Sequence, residues 1–421
     1  MKPLCVTALS LVFGALLSMV VDAHAARYTV KQTGDIVELQ DAVAQMKVSV
    51  FTPVNNAFEV QVKGQDLIRK SFLSPEQFKT GSPGLNGVPL LWPFANRLDE
   101  QAFYANGTKY TFDAGLGNTG RGAIPIHGYL QNARDWKVIE AKADAKGAWI
   151  TSRLDFYRDP KYMKQFPFAH TLTITYRVSE GALEVRTRID NMSNEPMPIS
   201  LGFHPYFQLT DSNRADWTIS VGAKTHWKLA QTKIPTGETE PVEAVIPNPK
   251  SNALKDLDLD DVFSDLQRDA QGRATVSFKG KQQQIDVTVD QNFKSIVLYS
   301  PNPANAAPRG GGGGNRGQGA PAPAGPPPAA AATGAPAAAA PPAAAPPAGA
   351  APQGGNRGSA QTPEMAALNA ANNARGFFAI EPMVGITDSM NLAQKGLYKE
   401  LQSVPARGSW TASFWIKGSG Y

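Results

Sequence analysis

Short stretches in which apolar and polar residues alternate with a period of two commit most of this chain to sheet. Residues 171–178 (Thr-Leu-Thr-Ile-Thr-Tyr-Arg-Val) alternate throughout and are rich in β-branched side chains, which fit a pleated, half-buried surface. Residues 182–189 repeat the pattern, with Leu183, Val185, Thr187 and Ile189 on one face. Only Ser179, Glu180 and Gly181 separate the two runs, so they predict an antiparallel hairpin closed by a short turn. Similar runs occupy 48–51, 58–62, 149–156, 217–221, 274–278, 285–289, 295–299 and 410–416. No long segment of helical period separates them. Many antiparallel strands joined by short turns predict an all-β protein, a large antiparallel β-sandwich.

Two segments fall outside this pattern. Residues 1–25 carry Lys2, an apolar run from Leu9 to Val21, and Ala23-His24-Ala25, the small-x-small pattern of a signal-peptidase site. The apolar run is shorter than the ~20 residues a bilayer span requires. The segment therefore predicts a signal peptide, export to a periplasm or the medium, and no stable membrane insertion after cleavage. Cys5 is the sole cysteine and leaves with it. The remaining chain then has no disulfide, catalytic thiol or cysteine-ligated metal, which suits an oxidising compartment. Residues 302–375 open on the run Gly310 to Gly314 and continue as Pro/Ala/Gly repeats with almost no charge or large apolar side chain. Such a segment cannot bury enough surface to offset the entropy of ordering it. It predicts a disordered insertion, with a short helix over 363–373 at its end. Residues 26–301 and 376–421 are then two parts of one sandwich. The formal charge of +5 is spread without a Lys/Arg block, so no nucleic-acid footprint is present.

Four stretches set one polar group among apolar and aromatic neighbours beside Gly or Pro. They are 87–97 (ending in Asn96-Arg97), 124–129 around His127, 200–207 around His204, and 377–383 around Glu381. A histidine in an apolar segment is more often a satisfied core residue than a catalyst, and His170 and His226 read as structural or surface residues without local partners. Glu381 is harder to explain by packing, because a carboxylate flanked by Ile380 and Pro382 is costly to bury unpaired. Burial raises its pKa and suits it to general-base work near neutral pH. The plainer alternative is a structural ion pair with Arg97.

The set formed by 87–97, His127-Gly128, His204-Pro-Tyr-Phe207 and Glu381-Pro-Met383 resembles the galactose mutarotases, or aldose 1-epimerases. Phe166-Pro-Phe168, Asn191 with Pro196-Met-Pro198, and Asp260-Asp261-Val-Phe263 look like that family too, in the same order along nearly the whole mature chain. The resemblance implies a galactose mutarotase-like supersandwich whose open face takes a monosaccharide. It implies Glu381 as general base and His204 as general acid, His127 polarising the sugar, and Arg97, Asp260 and Asn96 binding its hydroxyls. Two features depart from the family pattern: the insertion ahead of Glu381, and Asp261 where many members have histidine, which leaves Asp260 and Asp261 both open as the sugar contact.

The implied chemistry is interconversion of the α and β anomers of a free hexose by ring opening and reclosure, with Glu381 as carboxylate and His204 as imidazolium at the outset. No electron moves and no water adds, so it needs neither metal nor organic cofactor. Trp92, Phe94, Tyr206 and Phe207 are candidates to pack on the sugar, with core packing the commoner fate of Phe94 and Phe207. A facial triad of His127, His204 and Glu381 for a metal lacks ligand spacing. The rival readings are a non-catalytic carbohydrate-binding protein, a glycosidase using Asp260 and Glu381, and a hexose-6-phosphate epimerase, which would require extra basic residues around the cleft. The sequence leaves the preferred aldose and the oligomeric state unassigned.

Overall fold

The hairpin predicted from alternation lies within the largest sheet, as strands His170–Ser179 and Ala182–Asn191. Glu180 (φ 52°) and Gly181 (φ 70°) both occupy the left-handed region, the two-residue turn whose twist matches that of the flanking strands. The computed structural model describes residues 26–80, 86–113, 124–302, 305 and 362–421. The leader expected at 1–25 and most of the insertion expected at 302–375 lie outside the described residues.

Among the described residues the strands form three main antiparallel sheets. A five-stranded meander runs from Tyr28–Thr33 to Gln65–Asp66. A nine-stranded sheet has Ser409–Ser419 between Gln284–Val289 and Ala182–Asn191. Residues that follow the insertion thus complete a sheet begun long before it. The third sheet runs in the order Pro235–Pro241, Thr225–Leu229, Leu259–Ser264, Ser295–Ser300, Phe378–Met383, Gly202–Phe203 and Leu90–Leu91, with Tyr206–Phe207 also pairing Phe378–Met383. The inner faces of the sheets share one hydrophobic core, which includes Val48, Ile174, Val185, Phe278, Phe378 and Phe414. The all-β sandwich expected from the alternation is what the chain adopts. Helices are short apart from Pro363–Arg375, where a helix over 363–373 was expected. Its Thr362 N-cap accepts from the Met365 N–H, and Gly376 (φ 88°) ends it.

Register in the third sheet decides which side chains meet. Asp260 stands opposite Tyr299, Val297 opposite Glu381, and both Tyr299 and Tyr206 opposite Ala379. Because side chains alternate between faces, Asp260, Tyr299, Glu381 and Tyr206 share one face. Phe263, Ile296, Leu298, Phe378, Ile380 and Phe207 point the other way into the core. Gly202 pairs with Met383 and Tyr206 with Ala379. Between them Pro205 has no N–H to donate, so the ladder lapses with His204 standing across from Glu381.

Candidate active site

Glu381 Oε1 lies 3.0 Å from His204 Nε2, with side chains 2% and 4% exposed. Burial drives both groups toward their neutral forms. It holds the Glu381 carboxyl well above the usual carboxylate range, with Asp260 adding to the rise and Arg97 opposing it. It also pushes the His204 imidazole down to about 3. Tyr206 stacks on His204 with ring centroids 4.6 Å apart, and its hydroxyl lies 3.5 Å from the same Nε2.

His127 completes the floor, its ring 5.0 Å from that of His204. The loop that carries it is fixed by backbone contacts: the His127 N–H donates to the Asn96 carbonyl at 2.8 Å, and Arg97 bridges Ile126. Both His127 (φ 63°) and Asn96 (φ 55°) are left-handed, a conformation held here by the loop pairing. A Cβ on Gly128 would lie 2.0 Å from the Trp92 carbonyl oxygen, so only glycine permits this approach. Burial, with His204 and Arg97 nearby, lowers the His127 pKa well below the usual histidine value. Glu381 Oε2, His204 Nδ1 and His127 Nδ1 are all buried without a protein hydrogen-bond partner. Most buried polar atoms have one, and here three neighbouring side chains lack it.

The rim is charged. Arg97 Nη2 lies 3.6 Å from Asp260 Oδ2, and Asn96 Oδ1 accepts from Arg97 Nη1 at 2.9 Å. Lys233 approaches Asp260 at 4.0 Å. Asp261, one residue on, emerges from the opposite face. It meets His226 Nε2 at 3.0 Å and accepts the Asp260 N–H, while Glu240 takes the other imidazole nitrogen at 2.9 Å. Alternation therefore gives Asp260 to Arg97 and Asp261 to His226.

The sequence profile of the family described as Aldose 1-epimerase matches residues 59–327, which is well over half of the 421 residues. The chain belongs to the aldose 1-epimerase family. Among solved structures it is similar to a galactose mutarotase-like protein from Clostridium acetobutylicum, at 18% identity and a TM-score of 0.65, covering 94% of this chain and 98% of that one. It is also similar to galactose 1-epimerase from Lactobacillus acidophilus, at 14% identity and a TM-score of 0.60, covering 94% and 98%. At these identities the likeness speaks for the fold. In this member of the aldose 1-epimerase family the profile match stops before the strand that carries Glu381, which the insertion separates from the rest.

Several expectations are corrected. Arg97 pairs with Asp260 and is not in contact with Glu381 as its counter-ion. Burial works against the expected carboxylate–imidazolium pair, pushing the Glu381 carboxyl up and the His204 imidazole down toward their neutral forms. Trp92, a candidate to pack on the sugar, is instead a core residue against Phe166 and His170, while Phe94 and Phe207 take the core positions expected of them, all three at 0–1% exposure. His170 and His226 do have partners: His170 Nδ1 donates to the Phe168 carbonyl at 2.6 Å, and His226 bridges two carboxylates. Tyr299 and Phe377, not singled out from sequence, line the Tyr206 side of the site. The signal for Tyr299 is its position two residues past Val297, which acquires meaning only once pairing with Glu381 is known.

Proposed function

We propose that the chain is an exported mutarotase that interconverts the α and β anomers of a free aldose by acid–base ring opening. The observation that carries this is the buried contact between His204 and Glu381, a base and an acid at 3.0 Å beside a charged rim that suits hydroxyl groups. No helix among the described residues is long and apolar enough to cross a membrane. Export, to a periplasm or the medium, rests on the leader pattern, and the N-terminus of the exported protein should be Ala26.

The neutral and ionic forms of the pair hold the same number of protons and differ by one transfer across the contact. Sugar hydroxyls arriving at the site stabilise the ionic form. Glu381 carboxylate then takes the proton of the anomeric hydroxyl, the bond from C1 to the ring oxygen breaks, and that oxygen takes the electron pair and the His204 proton. The open-chain aldehyde now faces a protonated Glu381 and a neutral His204. That is the form burial favours, so the site is preorganised around the intermediate. Rotation about the C1–C2 bond and reversal of the transfers give the other anomer. His127, neutral by burial, hydrogen-bonds the sugar near C1, while Arg97, Asp260 and Asn96 hold hydroxyls. The scheme calls for neither metal nor organic cofactor. A sugar-binding protein without turnover would have no use for an acid and a base held by burial toward their neutral forms, with their second polar atoms left unpartnered.

Polarimetry of freshly dissolved α-D-glucose and α-D-galactose tests the reading. Faster relaxation to the same final rotation, lost in Glu381→Gln, supports it. Binding of sugars with no acceleration of any aldose sinks it.

A further inference from the structure

Arg69 and Lys70 are adjacent, and their charges are handled differently. Lys70 lies 2.5 Å from Glu59 and 2.9 Å from Asp66. Arg69 has no carboxylate partner among the described residues. Its Nη2 donates to Asn373 Oδ1 at 3.1 Å, its guanidinium lies over the Phe377 ring at 5.3 Å, and its Nε is buried without a partner. Burial lowers its pKa, and the only opposing influence is the Tyr206 hydroxyl. An unpaired, partly desolvated guanidinium is poised to accept an anion in a forked hydrogen bond.

Register aims it at the site. Ile68 bridges Phe207, and the Arg69 N–H donates to the Tyr206 carbonyl at 2.8 Å. Arg69 therefore stands across from Tyr206, on the face that carries His204. Diagonal neighbours on adjacent strands lie ~7–8 Å apart, comparable to the span of a pyranose with its exocyclic carbon. Phe377 lies 5.3 Å from the Tyr206 ring, which itself stacks on His204. The opposite rim holds Arg97 against Asp260, so its charge is already matched. The helix Pro363–Arg375, at the end of the insertion, holds the Arg69 side: Asn373 takes the guanidinium, and Asn372 Nδ2 donates to the Lys70 carbonyl at 2.6 Å.

We infer that Arg69, steadied by Asn373, is a subsite for an anionic group carried by the sugar away from its anomeric carbon, the carboxylate of a uronic acid or a phosphate ester. The inference rests on the mutarotase reading and narrows its substrate class. The helix that closes the insertion thereby becomes part of the binding site, since it supplies the group that orients the guanidinium.

The test compares kcat/KM for D-galactose, D-galacturonate, D-glucose, D-glucuronate and D-glucose 6-phosphate by polarimetry in wild type, Arg69→Gln, Arg69→Lys and Asn373→Ala. Wild type should favour at least one anionic sugar over its neutral parent about tenfold or more, with the preference shrinking as salt is raised. Arg69→Gln should abolish that ratio, mainly through KM, and Asn373→Ala should reduce it. Arg69→Lys keeps the charge and fills similar space, and it should retain part of the ratio if the glutamine variant does not fold. Whether the uronates or the phosphate show the preference identifies the anion. Acceleration of neutral sugars with no anionic preference overturns this inference alone. Failure to accelerate any sugar, charged or neutral, overturns the mutarotase reading with it.

Discussion

His204 meets Glu381 and His226 meets Asp261 at the same 3.0 Å, on opposite faces of one sheet. In the first pair the histidine is pushed down and the carboxyl up. In the second the directions reverse: against the cost of burial, hydrogen bonds to Asp261 and Glu240 raise His226, and the bond from His226 lowers Asp261. Distance is therefore not what sets protonation. His226 has two carboxylates, one of them 31% exposed, and the Asp260 N–H helps hold the Asp261 charge. Glu381 and His204 have burial, one contact and orphaned second atoms. His226 and Asp261 are thus drawn toward their charged forms, while Glu381 and His204 are drawn toward the neutral forms that the proposed acid–base chemistry uses.

The largest expected effect tests that separation directly. Glu381→Gln and His204→Ala should each lower kcat about 10²–10⁴-fold, the scale of a lost acid–base catalyst. His226→Gln should leave kcat within about threefold. Equal losses from His204→Ala and His226→Gln would erase the distinction. The first pair also predicts a pH profile. It gains a proton only near His204's depressed value, about 3, and loses one only above Glu381's raised value. The kcat/KM of wild type should therefore be flat through the ordinary carboxylate range, and a limb near pH 4.5, where an unburied glutamate titrates, would show that burial does not raise Glu381.

A third histidine sharpens the comparison by having burial and no carboxylate. His170 stacks on Phe156 at 4.1 Å and is pushed down to about 3. Below about pH 6.5 the unfolded chain takes a proton that the folded chain refuses, so stability falls as pH falls. By pH 5 this costs wild type about 2 kcal/mol, at about 1.4 kcal/mol for each pH unit below the unfolded pKa. His170→Phe should be less stable at pH 7.5, having lost the bond to the Phe168 carbonyl. Its loss of stability from pH 7.5 to pH 5 should be smaller by that amount. Parallel pH dependences in thermal or urea melts would contradict it.

Next in size is the pair of neighbouring aspartates. Asp260→Asn should raise KM for the sugar about tenfold, the scale of one charge-assisted hydrogen bond, because Asp260 shares the site face with Glu381. Asp261→Asn should change KM by less than about threefold, because alternation turns it toward His226. The reverse ranking, read from initial rates across sugar concentrations, would mean that the strand presents its other face to the substrate.

How much of this was legible in sequence depends on how local each relation is. The strand pattern and the 170–191 hairpin follow from alternation and a two-residue turn. Glu381, His204, His127, Arg97 and Asp260 were all named from sequence, and the structure brings them to one face. The rise of Glu381 follows from its apolar flanks, but the lowering of His204 was not legible, because it depends on burial that several distant strands create together. Strands Thr225–Leu229 and Pro235–Pro241 show no clean alternation, since lysine, glutamate and proline interrupt their pattern. His226 looked unpartnered because its carboxylates lie 14 and 35 residues away, on those strands and the next. Arg69 was invisible for the same reason. Its position opposite Tyr206 joins segments more than a hundred residues apart.

The smallest effect is also the most specific to the second pair. His226 is raised, so the folded chain holds a proton that the unfolded chain gives up first as pH climbs. The sign is opposite to that of His170: the stabilisation is complete below the unfolded value of about 6.5 and is lost as pH rises through the folded one. Glu240 opens the cluster to solvent, and screening keeps the contribution below about 1 kcal/mol. Wild type should therefore exceed His226→Gln in stability by a little more at pH 5.5 than at pH 9, and added salt should narrow the gap. A gap that widens with pH would mean that His226 is held neutral, as His204 is. The two pairs would then differ only in what lies beside them and no longer in the charge they carry.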